Sequence, residues 1–225
     1  MSAPATAVPQ RVPSRWLSAL EFTLGAAIVI GHNVYHKVPN EVPILFVLGL
    51  LSLHWRDGLK NVGFARPKSW KVTIAIAAAA AALRIVLGDV VIEPLLNRVW
   101  PPIKGPEGME QIHADWKQAL LWLALIWTFA AFGEEISYRG YLLTRFADLG
   151  KRTTLAYWAA VIASSILFGY GHYYKGPVGI VDSGVAGLIL GAAYMLNRRN
   201  LWTTILAHGF IDTFGVIALF LGWAN

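Results

Sequence analysis

The sequence contains no cysteine. Disulfides, thiolate nucleophiles and cysteine-ligated zinc or iron–sulfur centres are therefore excluded, and the redox compartment leaves no mark on the chain. Charge is scarce as well. Asp, Glu, Lys and Arg make up 14% of the 225 residues, against about 25% in an ordinary soluble domain. Internal repeats and low-complexity segments are not visible, which removes the paired-repeat signature of a proton-coupled transporter. What the chain has instead is apolar surface: 56% of its residues are hydrophobic. Such a composition belongs to a polytopic membrane protein, and the length suits one compact bundle without a second large domain. The net charge of +6 does not point to nucleic acid. The basic residues fall in short connectors between apolar runs, where membrane topology explains them. The expected partners are the lipid bilayer and no nucleic acid.

The apolar runs predict an all-α polytopic membrane bundle of about seven transmembrane helices plus a short amphipathic helix. The spans fall at 16–34, 42–55, 72–96, 116–132, 155–168, 181–196 and 201–223, with the amphipathic piece at 138–149. The second is short, since a span needs about 20 residues. The third carries an alanine-rich stretch at 75–82, and small residues of this kind let helices approach closely. The first run continues into His32 and Asn33 without a convincing cleavage site, so it reads as a retained span rather than a signal peptide. Residues 1–15, with Pro4, Pro9 and Pro13, read as a disordered cytoplasmic tail.

Placing the N-terminus in the cytoplasm puts the basic connectors at 56–71, 151–152 and 198–199 inside. Lys37, Arg98, Lys104, Lys117 and Lys175 then lie outside, as the positive-inside rule requires. On this topology the polar stretch after the fourth span lies toward the cytoplasmic side.

That stretch is Gly133-Glu134-Glu135-Ile136-Ser137-Tyr138-Arg139-Gly140. Adjacent carboxylates at the end of an apolar run are costly, and an ionisable side chain in a bilayer marks a functional site by default. On a helix Glu135 and Arg139 are four residues apart and face each other. Glu134 is turned about 100° away. One glutamate is held by a partner and the other is left free to take a proton. The bland alternative is a Glu–Arg pair that only marks the water interface. Two more polar pairs follow. Phe168 and His172 close the fifth span, where His172 alone reads as structural. His208 and Asp212 share one face of the last span, and a paired His and Asp there is rare and usually functional.

Convergence of Glu134, His172, His208 and Asp212 on one cavity would suit water activation, with Glu134 as base, His172 orienting the water and His208 donating to an oxyanion. Ser137 is a poor nucleophile candidate, because no His lies near it and no elbow motif surrounds it.

Glu-Glu-x-x-x-Arg, then Phe-x-x-x-His, then His-x-x-x-Asp, in this order on late membrane helices, resembles the CPBP family. That family comprises type II CAAX prenyl endopeptidases, bacteriocin-processing or self-immunity proteins and related bacterial membrane proteases, the Abi proteins. The resemblance covers about 116–223. It implies a glutamate-type intramembrane protease in which Glu134 and His172 activate water, Glu135, Arg139 and Phe168 brace the site, and His208 and Asp212 sit at the oxyanion position. The prenyl endopeptidases carry Asn where this chain has Asp212. An ionised Asp donates no hydrogen bond, so Asp212 is either protonated or serves to orient His208.

The resemblance divides the chain into the tail at 1–15, N-terminal membrane helices and loops at 16–115, and a CPBP-like catalytic membrane core at 116–225. It implies an integral protein of a bacterial plasma (inner) membrane that cleaves a membrane-associated peptide or protein substrate without a cofactor. Two readings stay open beside it. Two His and two carboxylates are also a donor set for zinc, and a non-catalytic scaffold or immunity protein of the same fold is the other. Substrate identity and oligomeric state are not written in the sequence.

Overall fold

Polar side chains set where the helices begin. In the computed structural model, which describes residues 14–101, 103 and 109–223, side-chain oxygens of Ser14, Asn40, Ser69, Asp115, Thr153 and Asn200 accept hydrogen bonds from the first free backbone N–H groups of six helices. Such caps satisfy donors that the helix itself leaves unpaired. The helices are α1 (Arg15–Asn33), α2 (Glu41–Arg56), α3 (Trp70–Leu96), α4 (Trp116–Leu149), α5 (Thr154–Tyr170), α6 (Tyr173–Leu196) and α7 (Leu201–Phe220). Four of them, α3, α4, α6 and α7, are long and apolar enough to cross a membrane, and α5 is a shorter apolar helix. Leu20, Leu24, Val47, Ile74, Leu83 and Ile162 turn outward, as side chains facing lipid do. The all-helical bundle is the fold class expected. The expected tail lies outside the described residues, except for Ser14 and Arg15.

The main departure from the sequence reading is α4. The sequence suggests a span that stops at Phe132 and a separate amphipathic piece at 138–149. The structure has one continuous helix of 34 residues. Every residue from 135 to 145 is buried, so this stretch has no wet face. Its backbone is locally widened, with π-helical turns over Ile126–Glu134 and Ile136–Leu142. Short π segments are frequent at functional sites, and here Glu134 ends one and Glu135 separates the two.

Close approach of the surrounding helices explains the burial. The glycines of α6 face α5, with Ser165 against Gly187 and Val161 against Gly191. Gly169 of α5 lies so near α6 that a Cβ there would stand 2.5 Å from the Ile180 carbonyl oxygen. The alanines of α3, Ala77 and Ala80, pack on Ala207 of α7. Small residues at such crossings are the usual basis of helix association in membranes.

The helices alternate in direction, and this gives the bundle two faces. The first carries the start of α1, the α2–α3 connector and the α4–α5 and α6–α7 turns. Leu201 N–H donates to Gly63 O there at 3.0 Å. A charge-balanced lattice closes this face. Arg56 meets Glu21 at 2.6 Å, and Arg145 reaches Glu21 at 2.8 Å and Asp148 at 2.9 Å. Arg145 and Arg152 share Asp57, and Arg152 also holds Asp148. Ser18 donates to Asp148 at 2.6 Å. Three arginines and three carboxylates thus tie α1, α2 and α4 together. The second face carries the α1–α2 and α5–α6 turns and the end of α7, where Ala114 N–H donates to Phe220 O at 3.1 Å.

Candidate active site

The two glutamates of α4 have different surroundings, as their positions on the helix require. Glu135 is fully buried. Its Oε1 accepts from Arg139 Nη1 at 2.7 Å and lies 2.9 Å from His208 Nδ1. Arg139, itself 1% exposed, also donates to the Gly187 carbonyl at 3.2 Å. Its guanidinium lies 4.4 Å above the Phe168 ring, a cation–π contact. His208 turns its other nitrogen, Nε2, to Asp212 at 3.4 Å. The chain Arg139–Glu135–His208–Asp212 thus links α4 to α7.

Glu134 lies outside that chain. Its Oε2 is buried and has no hydrogen-bond partner. A buried polar atom without a partner is costly and is kept where it has a use. Glu134 lines a cavity of about 180 Å³ together with Tyr138 of α4, Gly171 and His172 of the α5–α6 turn and Tyr174 at the start of α6. His172 Nδ1 lies 2.9 Å from the Phe168 carbonyl oxygen. A carbonyl only accepts, so the proton sits on Nδ1 and Nε2 keeps a lone pair for a donor.

Phe168 joins the two parts of the site. It is 3% exposed and packs edge-on to Tyr138 at 5.0 Å, against His172 at 4.9 Å and edge-on to His208 at 5.9 Å. All seven residues singled out in the sequence therefore fall in one region. Glu134 and His172 line the cavity. His208 and Asp212 are not among its lining residues and stand behind Glu135.

The wall opposite His172 comes from the first two helices and is not foreseen in the sequence reading. It consists of His32 and Asn33 at the end of α1, and Asn40, Glu41 and Val42 at the start of α2. His32 Nε2 lies 3.2 Å from Glu41 Oε2, and its Nδ1 lies 2.9 Å from the Val38 carbonyl oxygen. Glu41 is 5% exposed. The signal available in the sequence was an ionisable residue on either side of the Pro39 turn, each beside an apolar run.

A zinc ion fits this arrangement poorly. Among the described residues no group of three or more His, Asp or Glu side chains is placed to hold a metal ion. The reason is visible in the pairings: His208 presents both nitrogens to carboxylates, and His172 commits one nitrogen to a carbonyl.

Residues 116–214 match one family model, described as "Rce1-like: Type II CAAX prenyl endopeptidase Rce1-like". This is the family that the three motifs resemble, and the matched segment holds all seven of the residues they name. Comparison with curated proteins and with solved structures gives no match. The apolar helices and the matched protease family support an integral membrane protein, and the family match suggests a membrane protease.

Proposed function

We propose that the protein is an intramembrane endopeptidase that hydrolyses a peptide bond with water activated by Glu134. The observation that carries this reading is the unpartnered, buried Oε2 of Glu134 on a residue that shares a cavity with His172. Water between them donates one hydrogen to Glu134 and the other to the free Nε2 of His172. Its lone pair is thereby aimed at the substrate carbonyl. As the oxygen adds, Glu134 takes the proton and the carbonyl oxygen becomes an oxyanion. His208 is the donor for that charge. Its Nε2 is 3.4 Å from Asp212, a contact looser than a strong hydrogen bond, which the stronger charge of the oxyanion displaces. Collapse breaks the C–N bond, and Glu134 returns its proton to the leaving nitrogen. The direct products are a carboxylic acid, whose remaining proton then passes to the amine or to solvent, and an amine.

Glu135, Arg139 and Phe168 hold this geometry without touching the substrate. The substrate is a membrane-associated peptide or C-terminal segment, which suits a cavity between apolar helices in a bacterial inner membrane. The test compares cleaved termini in cells expressing the parent protein and Glu134→Ala. Peptide termini that vanish with the variant, while its amount and melting temperature hold, are the expected result. An unchanged set of termini overturns the reading.

A further inference from the structure

The cavity at Glu134 is not closed by the face of the bundle that the sequence assigns to it. Its floor is Glu134 and Tyr138, the latter 2% exposed. Its rim is Asn40, which is exposed, and Tyr174, 49% exposed. Asn40 caps the start of α2 and Tyr174 lies in the first turn of α6. His32 and Asn33, on the same wall, end α1. All these positions belong to the second face of the bundle.

The first face lies at the opposite ends of the same helices. It carries the basic connectors at 56–71, 151–152 and 198–199, and the lattice around Arg145 seals it. The basic residues that fall by chain order to the second face are fewer: Lys37 between α1 and α2, Arg98, Lys104 and Lys117 around the α3–α4 connector, and Lys175 at the start of α6. Short loops rich in Lys and Arg stay in the cytoplasm. The cavity therefore rises from the catalytic glutamate toward the side that the charge rule places outside. The sequence reading places the double glutamate toward the cytoplasmic side; the cavity above Glu134 opens the other way.

We infer that the site receives its substrate at the outer, non-cytoplasmic surface of the membrane, as a peptide segment that has already been translocated or that emerges there from a transmembrane helix. The inference rests on the cavity being the peptidase site. A leader remnant or a C-terminal sorting segment fits such an entrance. A lipid-modified C-terminus held in the cytoplasm does not.

The absence of cysteine makes the test direct. Lys37→Cys marks the rim face and Lys60→Cys the basic face; both side chains are exposed and neither belongs to the site. A membrane-impermeant maleimide added to intact cells should label Lys37→Cys and lose all labelling of Lys60→Cys until the membrane is opened. Labelling of Lys60→Cys alone, or of both variants equally, overturns the inference. The second readout is where the Glu134-dependent termini fall in their parent proteins. Termini in segments outside the cytoplasm support the inference, and termini confined to cytoplasmic segments overturn it. The labelling does not depend on catalysis. If it comes out as expected while no terminus depends on Glu134, the peptidase reading fails and the sidedness stands.

Discussion

His208 meets Glu135 on the same oxygen, Oε1, that Arg139 holds, at 2.9 and 2.7 Å respectively. The second oxygen of Glu135 is buried without a partner. Glu135 is thus a fixed anchor between a cation on its own helix and an imidazole on α7, whereas Glu134 is held by neither. Two adjacent residues of one type should therefore give different losses. Glu134→Gln keeps shape and removes the base, so turnover should fall roughly 10²–10⁴-fold with the melting temperature near parental. Glu135→Gln leaves Arg139 buried without its counter-charge, which costs about 3–5 kcal/mol. A melting temperature for Glu135→Gln equal to that of Glu134→Gln would contradict this division.

The crossing of α5 and α6 should tolerate no side chain at Gly169. The obstacle is the Ile180 carbonyl and the Gly184 backbone, which cannot rotate away as a side chain can. Gly169→Ala should destabilise by about 1–3 kcal/mol and also reduce turnover, since Phe168 is its neighbour in sequence. Gly215→Ala is the control, because nothing lies within 4 Å of a Cβ there. Thermal unfolding in detergent distinguishes the pair.

Acid should loosen the basic face. Burial raises the pKa of Asp57, but Arg145 and Arg152 lower it more, so it lies below its ordinary value of 3.8. A carboxyl depressed on folding stabilises above its unfolded pKa, and that contribution disappears as pH falls through the folded value. Stability should therefore decline as the pH drops below about 4, the ordinary range of an aspartate. The decline should be shallower in Asp57→Asn, which has already lost the charge. Melting temperatures for parent and variant across that range, converging at low pH, are the expected outcome.

The His32–Glu41 pair should act on substrate binding rather than on chemistry. Both residues line the cavity, across from His172. Glu41→Ala should raise KM by roughly tenfold, the size of a lost charge-assisted hydrogen bond, and leave kcat near parental. Glu41→Gln should recover most of that loss, since an amide still accepts. Equal KM for Glu41→Ala and parent would make the pair a brace for the α1–α2 turn only.

Much of this was legible in the chain. The bundle follows from apolar runs, and the motif residues announce themselves because ionisable groups in such runs are rare. Two things were hidden. The run at 138–149 reads as an amphipathic helix, because it carries Arg139, Arg145 and Asp148 among apolar residues. Their long-range partners, the Gly187 carbonyl for Arg139, Glu21 and Asp57 for Arg145, and Ser18 for Asp148, are distant in sequence, and no local pattern reveals them. His32 and Glu41 escaped for a similar reason. They are nine positions apart, and only a folded turn brings imidazole and carboxylate together. The direction in which the cavity opens was hidden as well, because a motif near the end of an apolar run is read with the nearer connector. In the fold α4 continues far past it.

The unbroken course of α4 makes residue count a constraint in its own right. Eleven positions separate Glu134 from Arg145, and one rigid rod joins the base at one end of that interval to the ionic lattice at the other. Removing one residue between them would turn the two ends out of phase by about a quarter of a turn and shorten the rod, whose turns are π-helical from Ile136 to Leu142. Neither the lattice nor the cavity could then be rebuilt without dismantling the other. Many side chains along this interval are exchangeable for others of like volume; the length is not. Drift in this segment should therefore run through substitution alone, with insertions and deletions confined to the turns at either end of the rod.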